Sequence, residues 1–400
     1  MNQNINSKLS YYLFSLILFS IFFLFIKHDV ANDSTISEWL INYEGGFTKR
    51  GLVGQTIIFI SRIFDQNLRW TIFLFQVISC SIYFILIYNL LKNTKYDRIA
   101  QLAIFTPIFI LYPVAEMEVL ARKEVLVFIL YLTYLLIPKI YFLKSFSFIV
   151  FYSFAVLIWE PVVFFSPFIL AIEIIENKTD SVRKLLFTII KFFPGIFIAI
   201  YIATNPISLE NHNLMSGILK NEFGETCYMS CALLMSKATI TQQFQGNLDK
   251  YSLEIFIRYF LIILIGFGPI FILLKKSVLN NKNLLLFNKF DNLLLPSLTF
   301  LSPVIILFAM GYDWGRWVNI SYVFIFIFYF FLLKKKYITL TKEKSKFNFI
   351  NSLSKKMFIF LFIIFCFGWN PKTVITGDVA SFPGYRIPYK TLSYIIRGHF

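Results

Sequence analysis

Eleven apolar stretches separated by charged loops leave this chain of 400 residues few ways to fold. A helix needs about 20 residues to cross the hydrocarbon core, and fewer where the bilayer thins around the protein. The stretches fall at 10–27, 71–91, 99–115, 124–138, 146–159, 161–175, 185–203, 252–274, 293–311, 318–333 and 357–370. They predict an all-α, polytopic membrane helix bundle of about eleven transmembrane helices, forming one membrane domain over residues 1–400. The pair 146–175 reads either as two short spans or as one broken helix, because Pro161 lacks an N–H and disfavours helical geometry at Glu160. The first stretch follows a basic start, as a signal peptide would. Lys27, His28 and Asp29 succeed it in place of a small-residue cleavage site, so a retained helix is expected.

Composition agrees, with 58% hydrophobic and only 15% charged residues. A net charge of +16 would suit nucleic acid, but the Lys and Arg sit mostly in short loops, where they orient a chain in a bilayer. No nucleic-acid partner is expected. With the N-terminus in the cytoplasm, 21 of the 38 basic residues fall on cytoplasmic segments, eight of them between Lys334 and Lys356. Of the 22 acidic residues, 16 fall on the other face. The expected topology is therefore N-in, C-out. Its outside face comprises loops 28–70, 116–123, 204–251 and 312–317, the Glu160–Pro161 break, and a tail at 371–400.

Four polar constellations lie on that face. Loop 28–70 carries Asp29, Asp33, Glu38 and Glu44 ahead of Gly45–Gly46 and Lys49–Arg50–Gly51. Glycines allow a tight turn and close approach to a ligand, and Lys49–Arg50 supplies charge for a phosphate. Residues 52–64 are apolar but too short to span, so a re-entrant or interfacial helix near 51–64 is expected, opening just after the basic pair. The alternative is that Lys49 and Arg50 anchor that helix in lipid headgroups. Second, Glu116, Glu118, Arg122, Lys123 and Glu124 crowd one short turn. Glu118 and Arg122 would share a helix face and neutralise each other, or Arg122 and Lys123 would bind an anionic headgroup. Third, Glu160 is an ionisable group amid long apolar sequence, which marks a functional site or a structural ion pair with a neighbouring Arg or Lys. Fourth, Tyr312–Asp313–Trp314–Gly315–Arg316–Trp317 exceeds the needs of an aromatic belt and suits a sugar platform of rings and charges.

His28, His212 and His399 lack metal-ligand spacing, and no Walker loop, GxGxxG, HExxH or GxSxG occurs. Neither a metal nor another cofactor is expected; a divalent ion has no ligand pattern to support it. Cys227 and Cys231 either pair, if their loop faces an oxidising compartment, or remain two thiols. Cys80 and Cys366 fall inside apolar runs.

An apolar cage with carboxylates and basic groups at one surface suits a substrate that is part lipid, part polar and phosphate-bearing. In architecture, size and acidic first outside loop, the chain resembles the polytopic membrane proteins of bacterial O-antigen and capsule clusters. These are the GT-C-like glycosyltransferases and the repeat-unit polymerases. The resemblance implies glycosyl transfer from a polyprenyl-phosphate or -diphosphate donor to a glycan acceptor at the outer face of the bacterial inner membrane. Other polysaccharide-assembly membrane proteins would be candidate partners. A catalytic carboxylate in the first outside loop maps to Asp29, Asp33, Glu38 or Glu44, and no clean DxD chooses among them. The resemblance places functional arginines at Arg50, Arg122 and Arg316. The expected base is Glu44 or Asp33, then Asp313. Lys49, Arg50, Arg122, Lys123 and Arg316 would hold phosphate, with Glu160 beside them, and Trp314 and Trp317 would stack on sugar. The competing expectation is a flippase or transporter of lipid-linked oligosaccharide or another anionic solute, although inverted repeats are absent.

Overall fold

The computed structural model describes residues 2–94, 96–235, 240–281, 283–340 and 348–375. The expected C-terminal tail lies outside the described residues beyond Ile375, as do His399 and the lysine-rich stretch at 341–347. The described chain is predominantly helical, with one two-stranded antiparallel ribbon in which Ser277–Leu279 pairs with Ile338–Leu340. Among the described residues four helices are long and apolar enough to cross a membrane: Ser7–Lys27, Leu68–Leu91, Leu253–Lys275 and Trp314–Lys334. A fifth span is counted if Val182–Ile190 and Phe193–Thr204, bent by 49° at their junction, act as one. Several apolar helices could thus span a bilayer, the character of a multi-pass membrane protein. Helices dominate for a physical reason: lipid offers no hydrogen-bond partner, so each spanning segment must satisfy its own backbone.

The chain divides into two compact units, each assembled from separate stretches. The first holds Met1–Lys92, Glu118–Ser166 and Thr179–Ala238. Its long helices pack as a row, Asn2–Lys27 against Leu68–Leu91, then Glu124–Leu136, Tyr141–Ile158 and Phe193–Thr204. Gly51–Phe64 forms the expected short helix and rests on both Leu68–Leu91 and Tyr141–Ile158. Its first turn approaches the loop before it so closely that a Cβ on Gly54 would lie 2.0 Å from the Ile41 carbonyl oxygen and 2.7 Å from that of Trp39. Only glycine fits there. The loop is held from two more sides, by Gln76 Nε2 donating to the Thr35 carbonyl at 2.8 Å and by Trp39 Nε1 donating to the Ala121 carbonyl at 2.9 Å.

The second unit holds Asn93–Met117, Pro167–Lys178 and Thr239–Phe400. At its centre Trp314–Lys334 is buried along almost its whole length. The stretch expected as one span at 99–115 is broken here. Arg98–Phe105 ends at Thr106, which takes φ −54° and ψ 139°, the extended geometry that a following proline enforces. Buried side chains take over the freed backbone groups: Asn319 Nδ2 donates to the carbonyls of Ile108 and Phe109, and the Tyr322 hydroxyl to that of Ala103. Irregular backbone at such depth is tolerated because protein groups satisfy it. The 312–317 segment is another departure, since a helix starts at Trp314 and absorbs most of the expected turn.

Candidate functional site

Arg50 organises the first unit's polar cluster. It precedes the Gly51–Phe64 helix in the left-handed region, at φ 60° and ψ 13°, without a side-chain cap. A non-glycine residue held there costs about 1–3 kcal/mol and needs its surroundings to enforce it. Two contacts do so. The guanidinium grips Glu160 with both prongs, Nε to Oε2 at 2.8 Å and Nη2 to Oε1 at 2.9 Å. Its backbone carbonyl accepts a bond from Lys123 Nζ at 2.6 Å.

Glu38 lies deeper, 1% exposed, with Oε1 at 3.6 Å from Arg50 Nη1 and 3.5 Å from Arg122 Nη1. Arg122 also donates from Nε to the Glu118 carbonyl at 2.7 Å. Three distant stretches of chain therefore converge: 38–50, 118–123 and 160. The expected Glu118–Arg122 pairing across a helix face does not form through the carboxylate, because Met117–Val119 is a single 3-10 turn and Ala121 adopts φ 53°. Arg122 turns to Glu38 instead.

Electrostatics follow from this crowding. Burial pushes the Glu160 carboxyl up, but the charge and hydrogen bonds of Arg50 outweigh it, and the net shift is downward. Burial lowers Lys49, with Arg50 adding to the effect and Glu160 opposing it. Burial pushes the fully enclosed Lys123 ammonium down to about 7, against the pull of Glu38. Lys49, Arg50, Arg122 and Lys123 thus stand against Glu38 and Glu160, with basic groups in excess. Arg50 and Glu160 remain 18% and 22% exposed, so the cluster opens to its surroundings on one side.

The remaining expected residues have other engagements. Glu44 accepts from Gln55 at 2.7 Å and from both Nη atoms of Arg62 at 2.9 and 3.1 Å, and Arg62 also binds Glu222. The Arg62 hydrogen bonds lead the effects that hold the Glu44 carboxyl below its ordinary range. Asp33 caps the Ser34–Ser37 turn, accepting from the Thr35 N–H at 2.7 Å, and pairs with Lys27 at 3.0 Å.

In the second unit, Asp313 Oδ2 stands 3.7 Å from Arg316 Nη1, and Arg316 lies over the Trp317 ring. Trp314 donates to the Phe308 carbonyl at 2.8 Å, and its ring is covered by Tyr251, Phe256, Tyr259 and Phe308. Both tryptophans are buried. Lys372 Nζ pairs with Glu116 Oε2 at 3.4 Å. The second unit also contains an apolar cavity of about 550 Å³ between Leu253–Lys275 and Lys355–Phe367, with Arg258 the one charged residue on its wall among the described residues.

Sequence reasoning overlooked Arg62, Arg69, Glu222 and Glu225. Arg62 and Arg69 reach across to the Leu209–Phe223 helix and the loop after it, binding Glu222 and Glu225 respectively. Alternating charges at the ends of the 51–64 segment were the available signal. Cys227 and Cys231 form a disulfide, resolving the alternative left open by the sequence. His212 lies beside them, and its ring, with the two sulfurs, places three ligand-type atoms within 4.8 Å of one another. Sulfurs joined to each other are not thiolate ligands.

No protein family, curated protein or solved structure matches the chain.

Proposed function

We propose that the chain is a multi-pass membrane glycosyltransferase of the bacterial inner membrane. It would transfer sugar from a polyprenyl-phosphate or -diphosphate donor to a glycan during surface-polysaccharide assembly, with repeat-unit polymerisation as the particular reaction. The observation that carries this reading is the convergence of Lys49, Arg50, Arg122 and Lys123 on Glu38 and Glu160. Excess basic charge at the start of a helix is a site for a phosphate, and a guanidinium already aimed by a carboxylate needs little reorganisation to receive one.

Two further features support it. An apolar cavity with the Arg258 guanidinium on its wall suits a substrate with a hydrocarbon tail. A disulfide at Cys227–Cys231 favours an oxidising compartment for that loop, which accords with the N-in, C-out topology and an outer working face. The eleven-span count belongs to the same reading, with short helices such as Glu124–Leu136 crossing where the bilayer is thinned.

Among the carboxylates, Glu44 and Asp33 remain candidates for the base, but their engagements favour positioning. A carboxylate depressed by a bidentate arginine is a weak proton acceptor. Asp313 is a third exposed and stands 3.7 Å from its arginine. We assign Trp314 and Trp317 to packing and leave Arg316 as a second anion-binding group.

The test is reconstitution in lipid nanodiscs with a radiolabelled polyprenyl-diphosphate oligosaccharide. Formation of longer glycan, lost in Arg50→Gln and Arg122→Gln variants that are folded at the assay temperature, is the expected result. Full activity in both variants would overturn the assignment of the site. The bent Val182–Ile190 and Phe193–Thr204 pair favours the second reading, transport, because discontinuous helices line many transporter sites. Movement of the unaltered lipid across proteoliposomes, without chain lengthening, would establish that reading instead.

A further inference from the structure

The loop following the Leu209–Phe223 helix closes on itself through Cys227–Cys231, only four positions apart. A ring this small removes little chain entropy from the unfolded state, so stapling the fold is a weak reason for it. Its two sulfurs are unequally placed. Cys231 is completely buried, whereas Cys227 is half-buried and within reach of solvent. His212 Nε2 lies 3.4 Å from Cys227 Sγ and 3.2 Å from the Cys231 carbonyl oxygen. A carbonyl only accepts, so Nε2 carries the hydrogen, and that N–H also faces Cys227. The other ring nitrogen, Nδ1, is buried without a hydrogen-bond partner. Inside the ring, Met229 is held at φ 45°, a conformation that a side-chain-bearing residue seldom adopts without constraint.

We propose that Cys227–Cys231 is a redox-exchanging pair, with Cys227 as the attacked sulfur, Cys231 as the leaving one and His212 as the group that stabilises the Cys227 thiolate. The co-reactant is a protein dithiol. One of its thiolates attacks Cys227 Sγ, forming a mixed disulfide and releasing Cys231 as thiolate, which takes up a proton. The second thiol of the co-reactant, deprotonated, then attacks its own bonded sulfur. Its disulfide closes, and Cys227 leaves as a thiolate beside the His212 N–H. Two electrons pass to the cysteine pair, and the co-reactant is oxidised to its disulfide.

Opening the ring frees Met229 from its left-handed conformation and loosens the loop that carries Glu225. Glu225 is tied to Arg69, which also bonds the carbonyls of His28 and Val30. The redox state of the pair therefore reaches the loop that bears Asp33. Arg69, Glu225, Tyr228, Asp29, Asp33 and, through Asp33, Lys27 are charged or titratable groups that interact around this loop, and the arginine is already paired to the glutamate. The proposal does not depend on what reaction the chain catalyses.

The experiment uses full-length protein in nanodiscs, with maleimide mass-tagging and Cys227→Ser/Cys231→Ser protein as the baseline for Cys80 and Cys366. Under native conditions a dithiol buffer should expose two additional thiols. In Cys231→Ser protein, alkylation of Cys227 should have a pH midpoint below the ordinary thiol value of about 8.5. Adding His212→Gln should raise that midpoint and slow alkylation at pH 7 about tenfold, while Cys227→Ser/Cys231→Ser/His212→Gln protein stays at baseline. A pair reducible only in denaturant would overturn the proposal. So would a midpoint at or above the ordinary value in Cys231→Ser protein, and this measurement decides the matter if the His212 variant fails to fold.

Discussion

Glu160→Gln separates two roles that the Arg50–Glu160 pair combines. The substitution keeps the shape of the side chain and removes its charge. Two short charge-assisted bonds, at 2.8 and 2.9 Å, become at best one ordinary one. Hydrogen bonds to charged groups contribute about 1.5–3 kcal/mol each, and the residual exposure of both partners favours the lower end, so a loss of about 2 kcal/mol is expected. Arg50 keeps Glu38 at 3.6 Å, which prevents a larger loss. Arg50→Gln is costlier, about 3 kcal/mol or more, because Glu160 and the nearly inaccessible Glu38 both lose compensation.

The two variants diverge in their effect on an anion. Glu160→Gln raises the charge of the cluster by one, which should tighten binding of a polyprenyl diphosphate by about 1 kcal/mol, or roughly fivefold. Arg50→Gln should weaken it. Stability read by SDS titration in mixed micelles and affinity read by thermophoresis with a short-chain isoprenyl diphosphate thus move in opposite directions for the glutamate and together for the arginine. The double variant should show coupling of about 1–2 kcal/mol in stability. Additivity within about 0.5 kcal/mol would mean that the pair does not operate as one unit. A Glu160→Gln protein that binds the diphosphate more weakly than the parent would refute the electrostatic assignment.

Lys123 predicts a pH slope. Its folded-state value, about 7, lies below that of an unfolded lysine, so between these values the unfolded chain binds the extra proton and stability rises with pH, by up to about 1.4 kcal/mol per unit. Melting curves from pH 7 to 10 should show this gain in the parent and its loss in Lys123→Met; parallel curves would count against it. Gly54→Ala should destabilise by about 1–3 kcal/mol or more, since the clashing atoms are backbone carbonyls. Gly217→Ala, in the Leu209–Phe223 helix with open space around it, should stabilise by about 0.5–1 kcal/mol in the same unfolding assay. Glu44→Gln should leave activity near the parent level if Glu44 positions Arg62, and abolish it if Glu44 is the base.

The helical class and the short helix after Arg50 were legible because apolar length and loop chemistry are local properties. Pro161 announced a break in the same way; Pro107 carries the same local signal, although 99–115 was expected as one span, and Thr106 adopts the geometry that Pro107 demands. Pairing was not legible. Nothing local to Arg122 distinguishes Glu118, four residues away, from Glu38, which reaches it only after three segments fold together. Glu44 looked like a base because it sits in an acidic loop; its partner Arg62 lies a helix away, and Glu222 farther still. The aromatic cluster at 312–317 was only partly legible for a related reason. Composition identifies rings but not whether other rings already cover their faces, as Tyr251, Phe256 and Tyr259 cover Trp314.

The cluster around Arg50 is also a poor choice if stability were its purpose. Taking charges from water costs several kcal/mol per ion, and an apolar set of equal volume is often as stable or better. Glu38 is nearly inaccessible, Lys123 is fully enclosed, and Arg50 is held in a left-handed backbone conformation besides. Replacing Glu38, Arg50, Arg122 and Glu160 together by Met or Leu should therefore cost less stability than Arg50→Gln alone, because two cations leave with two anions and the remaining Lys49 and Lys123, both already lowered by burial, can shed their protons. The same fourfold variant should lose diphosphate binding completely. If it instead unfolds more readily than either single variant, the network is holding the fold together, and its excess of positive charge would no longer argue for a ligand.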